Sequence, residues 1–122
     1  MKVILAIAAF LLGGIVASDA AQCARSGGYR LSHDGTWPMF ITARAGTACE
    51  ATFGASGRST FIFKRLLLVK SPTRGRINLR EGGYYIYTAP SSAGSDNFTL
   101  RVCGSEDGKD GCATLEYTVT VN

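Results

Sequence analysis

Two short runs near the C-terminus alternate apolar and polar residues with a period of two. Phe98, Leu100 and Val102 share one face of the first run; Leu115, Tyr117, Val119 and Val121 share one face of the second. Side chains alternate across an extended strand, so each run has one apolar face, and the two faces are expected to meet in a core. After residue 20 no stretch has helical periodicity. Short β-rich runs alternate instead with clusters of Gly, Ser, Asn and Asp, which is the pattern of a β-sandwich or barrel. The candidate strands are Tyr29–Ser32, Phe40–Ala43, Ala48–Phe53, Thr60–Lys70, Gly75–Arg80, Tyr84–Thr88, Asn97–Cys103 and Ala113–Val121. Thr60–Lys70 is apolar on both faces. It reads either as a central strand covered on both sides or as a strand bulged near Lys64-Arg65.

The connections carry their own chemistry. In Ser71-Pro72-Thr73-Arg74-Gly75 the proline fixes φ and the glycine takes a conformation other residues avoid. Glu81-Gly82-Gly83 between two alternating runs reads as a tight hairpin. Gly104–Gly111 reads as a longer acidic loop.

The N-terminus has the form of an export signal. Lys2 precedes an apolar stretch from Val3 to Val16, and the small residues Ser18 and Ala20 place a cleavage site between Ala20 and Ala21. The apolar stretch is short of the ~20 residues that a spanning helix needs. Gln22 before Cys23 does not fit a lipobox. The expected organisation is a signal peptide, residues 1–20, and one domain, residues 21–122. The compartment is then periplasmic or extracellular, with no transmembrane span in the mature chain. The formal charge of +4 is too modest to point to nucleic acid.

Beyond the alternation, Val69-x-x-Pro72-x-x-Gly75-x-Ile77 is followed by Tyr87-Thr88-Ala89-Pro90, by Gly94-x-Asp96-x-Phe98-x-Leu100-x-Val102, and by the terminal run. This series, from Val69 to Val121, resembles the C-terminal part of bacterial Ig-like or cadherin-like domains. The resemblance implies an all-β fold, an antiparallel Ig-like β-sandwich, and a non-catalytic role. Such domains occur as tandem arrays in large surface proteins, whereas this chain carries one copy and an added pair of cysteines around its last loop. Asp96, just ahead of a strand, is expected to accept backbone N–H bonds from the preceding turn.

Four cysteines allow three pairings. Cys103 and Cys112 have parity opposite to the apolar stripes of their strands, so both point off the core face on either side of one loop. The expected bridges are therefore Cys103–Cys112 and Cys23–Cys49, in an export route that permits disulfides. A metal centre would need more ligands than one histidine, His33, supplies. Neither a cofactor nor a metal is expected. The carboxylates Glu106, Asp107 and Asp110 offer hard oxygen ligands for calcium but lack the regular alternation of a calcium loop.

Catalysis has little to work with. Ser32-His33-Asp34 contains the residue types of a nucleophilic relay, but adjacent extended residues point in alternating directions. Asn97-Phe98-Thr99 fits a glycosylation sequon by chance, since Phe98 heads a core stripe. Trp37-Pro38 with Tyr84, Tyr85 and Tyr87 has the makings of a ligand platform, but aromatics also dominate small cores. Tyr85 and Tyr87 share one strand face and Tyr84 the other, so one tyrosine at least is expected at the surface. The reading is a non-enzymatic binding or structural module, with a secreted inhibitor or effector, or an accessory to a small periplasmic hydrolase, as the alternatives.

A basic run is the one candidate binding feature. Arg58, Lys64, Arg65, Lys70, Arg74, Arg76 and Arg80 occur with no acidic residue between Glu50 and Glu81. Arg76, Asn78 and Arg80 alternate with Ile77 and Leu79 and should share a solvent face; Lys70 and Arg74 flank the Pro72 turn. Lys70, Arg74, Arg76 and Arg80 are the expected contacts for an anionic partner: a protein surface, an acidic glycan or lipid head groups. The same charges also serve to keep an edge strand soluble.

Overall fold

The computed structural model describes residues 23–53 and 60–122. The expected signal peptide, residues 1–20, and Arg58 of the basic run lie outside them. Among the described residues eight strands are present: β1 Cys23–Ser26, β2 Thr36–Ala43, β3 Ala48–Thr52, β4 Phe61–Lys70, β5 Arg76–Arg80, β6 Tyr84–Thr88, β7 Gly94–Glu106 and β8 Lys109–Val121. They form a five-stranded sheet in the order β1-β2-β8-β7-β4 and a three-stranded sheet in the order β3-β6-β5. Among the described residues no helix is long and apolar enough to cross a membrane.

The two sheets face each other across an aromatic core. Phe98 on β7 lies opposite Tyr117 on β8, with the rings stacked 4.5 Å apart. Tyr87 from the smaller sheet stacks on Phe98 at 5.3 Å, and Tyr85 meets both Phe98 and Tyr117 edge-on. Phe53 and Tyr29 extend the chain of rings. Such pairs add about 0.5–1.5 kcal/mol each beyond the area they bury. The alternating residues Leu100, Val102, Leu115, Val119 and Val121 complete the core.

Three expectations are corrected, and one open alternative is decided. Not every neighbouring pair is antiparallel: β2 runs parallel to β8. This register sets Trp37, Met39, Ile41 and Ala43 beside Leu115, Tyr117, Val119 and Val121, so one apolar stripe extends another. Tyr29–Ser32 is not a strand. Leu31–His33 is a single 3-10 turn, with Leu31 buried and its N–H donated to the carboxylate of Glu106. Gly104–Gly111 is not a long loop. β7 and β8 run on to a two-residue turn at Asp107-Gly108, where both residues have positive φ (55° and 79°), the conformation a tight hairpin requires. Finally, β4 is not central but an edge strand. The bulge reading is the one the structure contains, with register shifts between Phe63 and Arg65 and between Leu68 and Lys70.

Candidate functional site

The two long sides of the sandwich differ. On one, the edge strands β1 and β3 are joined by the Cys23–Cys49 disulfide, with Cα atoms 5.9 Å apart. The Arg25 guanidinium also donates to the Glu50 carbonyl across that side. On the other, the edges are β4 and β5, and among the described residues no covalent bridge or strand pairing spans them. Two open grooves run along this seam. One, of about 600 Å³, lies between Leu68, Pro72 and Ile77; the other, of about 430 Å³, between Phe63, Leu66, Leu79 and Arg80.

The basic residues frame that seam. Arg76, Asn78 and Arg80 are exposed on β5 while Ile77 and Leu79 turn inward, as the alternation requires. Lys70 is exposed at the end of β4, and Arg65 is exposed further along it. Arg80 is paired in register with Tyr84, whose hydroxyl donates to the Glu50 carboxylate. That bond, with some desolvation, raises the Tyr84 pKa above that of a free phenol. Tyr84 is thus the tyrosine on the outer face, and Tyr85 and Tyr87 are core residues.

Arg74 has a different task. Its guanidinium donates to the Ser92 carbonyl and hydroxyl and to the carbonyls of Ala93 and Ser95, so it clamps the Ser91–Ala93 turn to the Pro72 turn. Lys64 is held by Asp110 at 2.9 Å.

Asp96 fixes the turn that joins the two open edges. Its carboxylate is 3% exposed and accepts five hydrogen bonds. Oδ1 takes the N–H groups of Thr73, Arg74 and Asn97, and Oδ2 takes the Gly75 N–H and the Tyr87 hydroxyl. Burial acts to raise the Asp96 pKa. The bonds from Tyr87 and from the backbone of Gly75, Arg74 and Asn97 outweigh it, and the net direction is down. Asp96 does accept backbone N–H bonds, but the expected donors are corrected: three come from the turn at residues 73–75, more than twenty residues upstream, and one from Asn97, and none from the turn just before β7. Gly75 is obligatory here for space and not, as the turn reading expected, for a positive φ, which it does not have: a Cβ on it would stand 2.5 Å from the Thr88 carbonyl oxygen and 2.7 Å from the Tyr87 hydroxyl.

The other candidates do not assemble. The carboxylates of the β7–β8 turn separate: Glu106 is buried against Leu31 and Arg30, Asp107 accepts from Thr60, and Asp110 faces Lys64. Asp34 is paired with Arg101 at 3.1 Å rather than with a relay. Trp37 packs against the core from the five-stranded sheet, away from Tyr84 on the other sheet. Among the described residues no group of three or more metal-ligating side chains is clustered. Cys103 and Cys112 face each other across β7 and β8 and are bridged.

One element of the site was not anticipated. Ile62, Leu67, Leu68 and Val69 are exposed on the β4 edge. The apolar run was visible in the sequence, but its position at the edge depends on long-range pairing. Comparisons with models of protein families, with curated proteins and with solved structures give no match to this chain.

Proposed function

We propose that this chain is a small exported Ig-like domain without catalytic activity, a binding module of the bacterial cell envelope or extracellular space that engages an anionic partner through its β4–β5 side. The observation that carries this reading is the distribution of ion pairs. Arg30, Lys64 and Arg101 are each matched with a carboxylate. Among the described residues Arg65, Lys70, Arg76 and Arg80, all on the rims of the open seam, have no such partner; Arg25, Arg44, Arg74 and Lys109 also lack one but lie outside β4 and β5. Unmatched cations beside a groove raise the local concentration of anionic ligands. Two disulfides fit an oxidising compartment, and a single histidine gives acid–base chemistry little support.

The test is binding of the chain without its first twenty residues to three anionic probes: a heparin-derived oligosaccharide, phosphatidylglycerol vesicles and a Glu-rich peptide. At least one should bind at low salt and weaken as the Debye length falls from about 30 Å at 0.01 M to about 8 Å at 0.15 M. Arg76→Ala combined with Arg80→Ala should weaken it further with no change in the circular dichroism spectrum. No binding at low salt, or indifference to the double change, would refute the reading.

A further inference from the structure

Resting on that reading, we propose that the partner's contacting element is an extended acidic polypeptide segment, added to the five-stranded sheet as a strand along β4. Among the described residues β4 has one strand neighbour, β7. Every second residue of an edge strand turns its N–H and C=O away from its neighbour, which is the template used when a peptide is bound by strand addition. Between its two bulges β4 keeps regular pairing from Arg65 to Leu68.

The side chains of this edge set it apart from a merely protected one. A protected edge carries charge, and β4 does have Lys64, Arg65 and Lys70. It also carries four of the five large apolar side chains exposed among the described residues: Ile62 (57%), Leu67 (43%), Leu68 (40%) and Val69 (58%). Concentration on one unpaired strand is a feature of an interaction site.

The register divides these residues between two faces. Leu66 and Leu68 lie opposite Val102 and Leu100 and face the seam, where Ile77 and Leu79 of β5 are half-buried. Arg65 and Lys70 lie opposite Cys103 and Thr99 and belong to the outer face, together with Ile62 and Leu67, which lie opposite Ser105 and Arg101. A strand laid along β4 would thus meet Leu66 and Leu68 on its seam face and, on its outer face, the cations interspersed with Ile62 and Leu67. The matching segment alternates apolar and acidic residues.

Two other occupants fit less well. A second copy paired antiparallel through β4 would bring three cations from each strand together with no carboxylate in either. A glycan or lipid head group would satisfy the cations and leave the backbone edge and the exposed leucines without partners.

The experiment titrates the isotopically labelled, disulfide-intact chain with five probes. Three are ten-residue peptides: one alternating Val and Glu, one of the same composition with the valines and glutamates in separate blocks, and the alternating peptide N-methylated at every second amide. The heparin-derived oligosaccharide and the phosphatidylglycerol vesicles are the other two. The alternating peptide should bind and perturb the amides of Phe61–Lys70, and the block and N-methylated peptides should bind at least about tenfold more weakly, because strand addition draws its affinity from main-chain bonds and its specificity from alternate side chains. Ile62→Glu and Val69→Glu, at the most exposed apolar positions, should each weaken binding of the alternating peptide several-fold without moving the thermal midpoint. If the N-methylated peptide binds as tightly as its parent, or only the glycan or vesicles bind, strand addition is overturned while the anionic-partner reading stands. If no probe binds at low salt, both fall.

Discussion

Replacing Asp96 with alanine should cost more stability than any other single polar substitution in the described domain. The change removes one carboxylate and leaves five donors behind. Thr73 and Arg74 are exposed, so water can reach their N–H groups. Tyr87 is fully buried, and Gly75, half-buried, lies against its hydroxyl end. Leaving a buried donor unmade costs about 1–3 kcal/mol each, and the bonds lost here are to a charged acceptor. The sum is about 3–5 kcal/mol, a large share of the ~5–15 kcal/mol expected for a whole domain. At about 4–8 °C per kcal/mol for a domain of this size, the melting midpoint should fall by at least about 12 °C. Asp96→Asn should cost less, about 1–3 kcal/mol, because the amide keeps one acceptor but turns a donor toward other donors. The assay is thermal and urea unfolding with both disulfides intact. A fall of less than about 4 °C for Asp96→Ala would refute the reasoning, since it would mean that the five bonds are not made together in solution.

Further outcomes follow from the same contacts. Because the folded-state pKa of Asp96 is depressed, its contribution should be complete above the unfolded value near 4 and be lost as pH falls through the folded value; acid titration of stability should flatten in Asp96→Asn. Gly75→Ala should destabilise by about 1–3 kcal/mol, measured by urea unfolding, because its Cβ would overlap the Thr88 carbonyl and Tyr87. Removing the Cys23–Cys49 bridge by paired serine substitution should cost about 3.5 kcal/mol by loop entropy, and removing Cys103–Cys112 about 2.7, which calorimetry of the two variants would compare.

The sequence made the all-β class legible wherever one strand face is buried. Phe98 to Val102 and Leu115 to Val121 alternate because the sandwich buries one side of each, and parity then placed both members of the Cys103–Cys112 pair. The short hairpin at Asp107-Gly108 was also present in the sequence as a turn-forming pair, but the neighbouring glycines and carboxylates imitated a loop. The parallel β2–β8 pairing and the edge position of β4 were not legible, because both are set by which strand lies alongside which. Thr60–Lys70 shows the difficulty: apolar residues on both faces arise equally from a strand covered twice and from an edge strand with exposed apolar side chains. Arg74 was read by its charge alone, and its bonds to Ser92, Ala93 and Ser95 come from a turn distant in sequence.

The central claim is that the sandwich is stapled on its Cys23–Cys49 side and open along β4 and β5. Native-state amide exchange, followed by nuclear magnetic resonance on the free chain, tests this most directly. The account predicts alternating protection along β4, with the amides bonded to β7 exchanging slowly and the outward-facing ones exchanging fast, beside uniform protection from Thr114 to Val121 of β8, which has a neighbour on each side. Uniform protection along β4, as strong as that of β8, would show that the edge is already covered and would contradict the account.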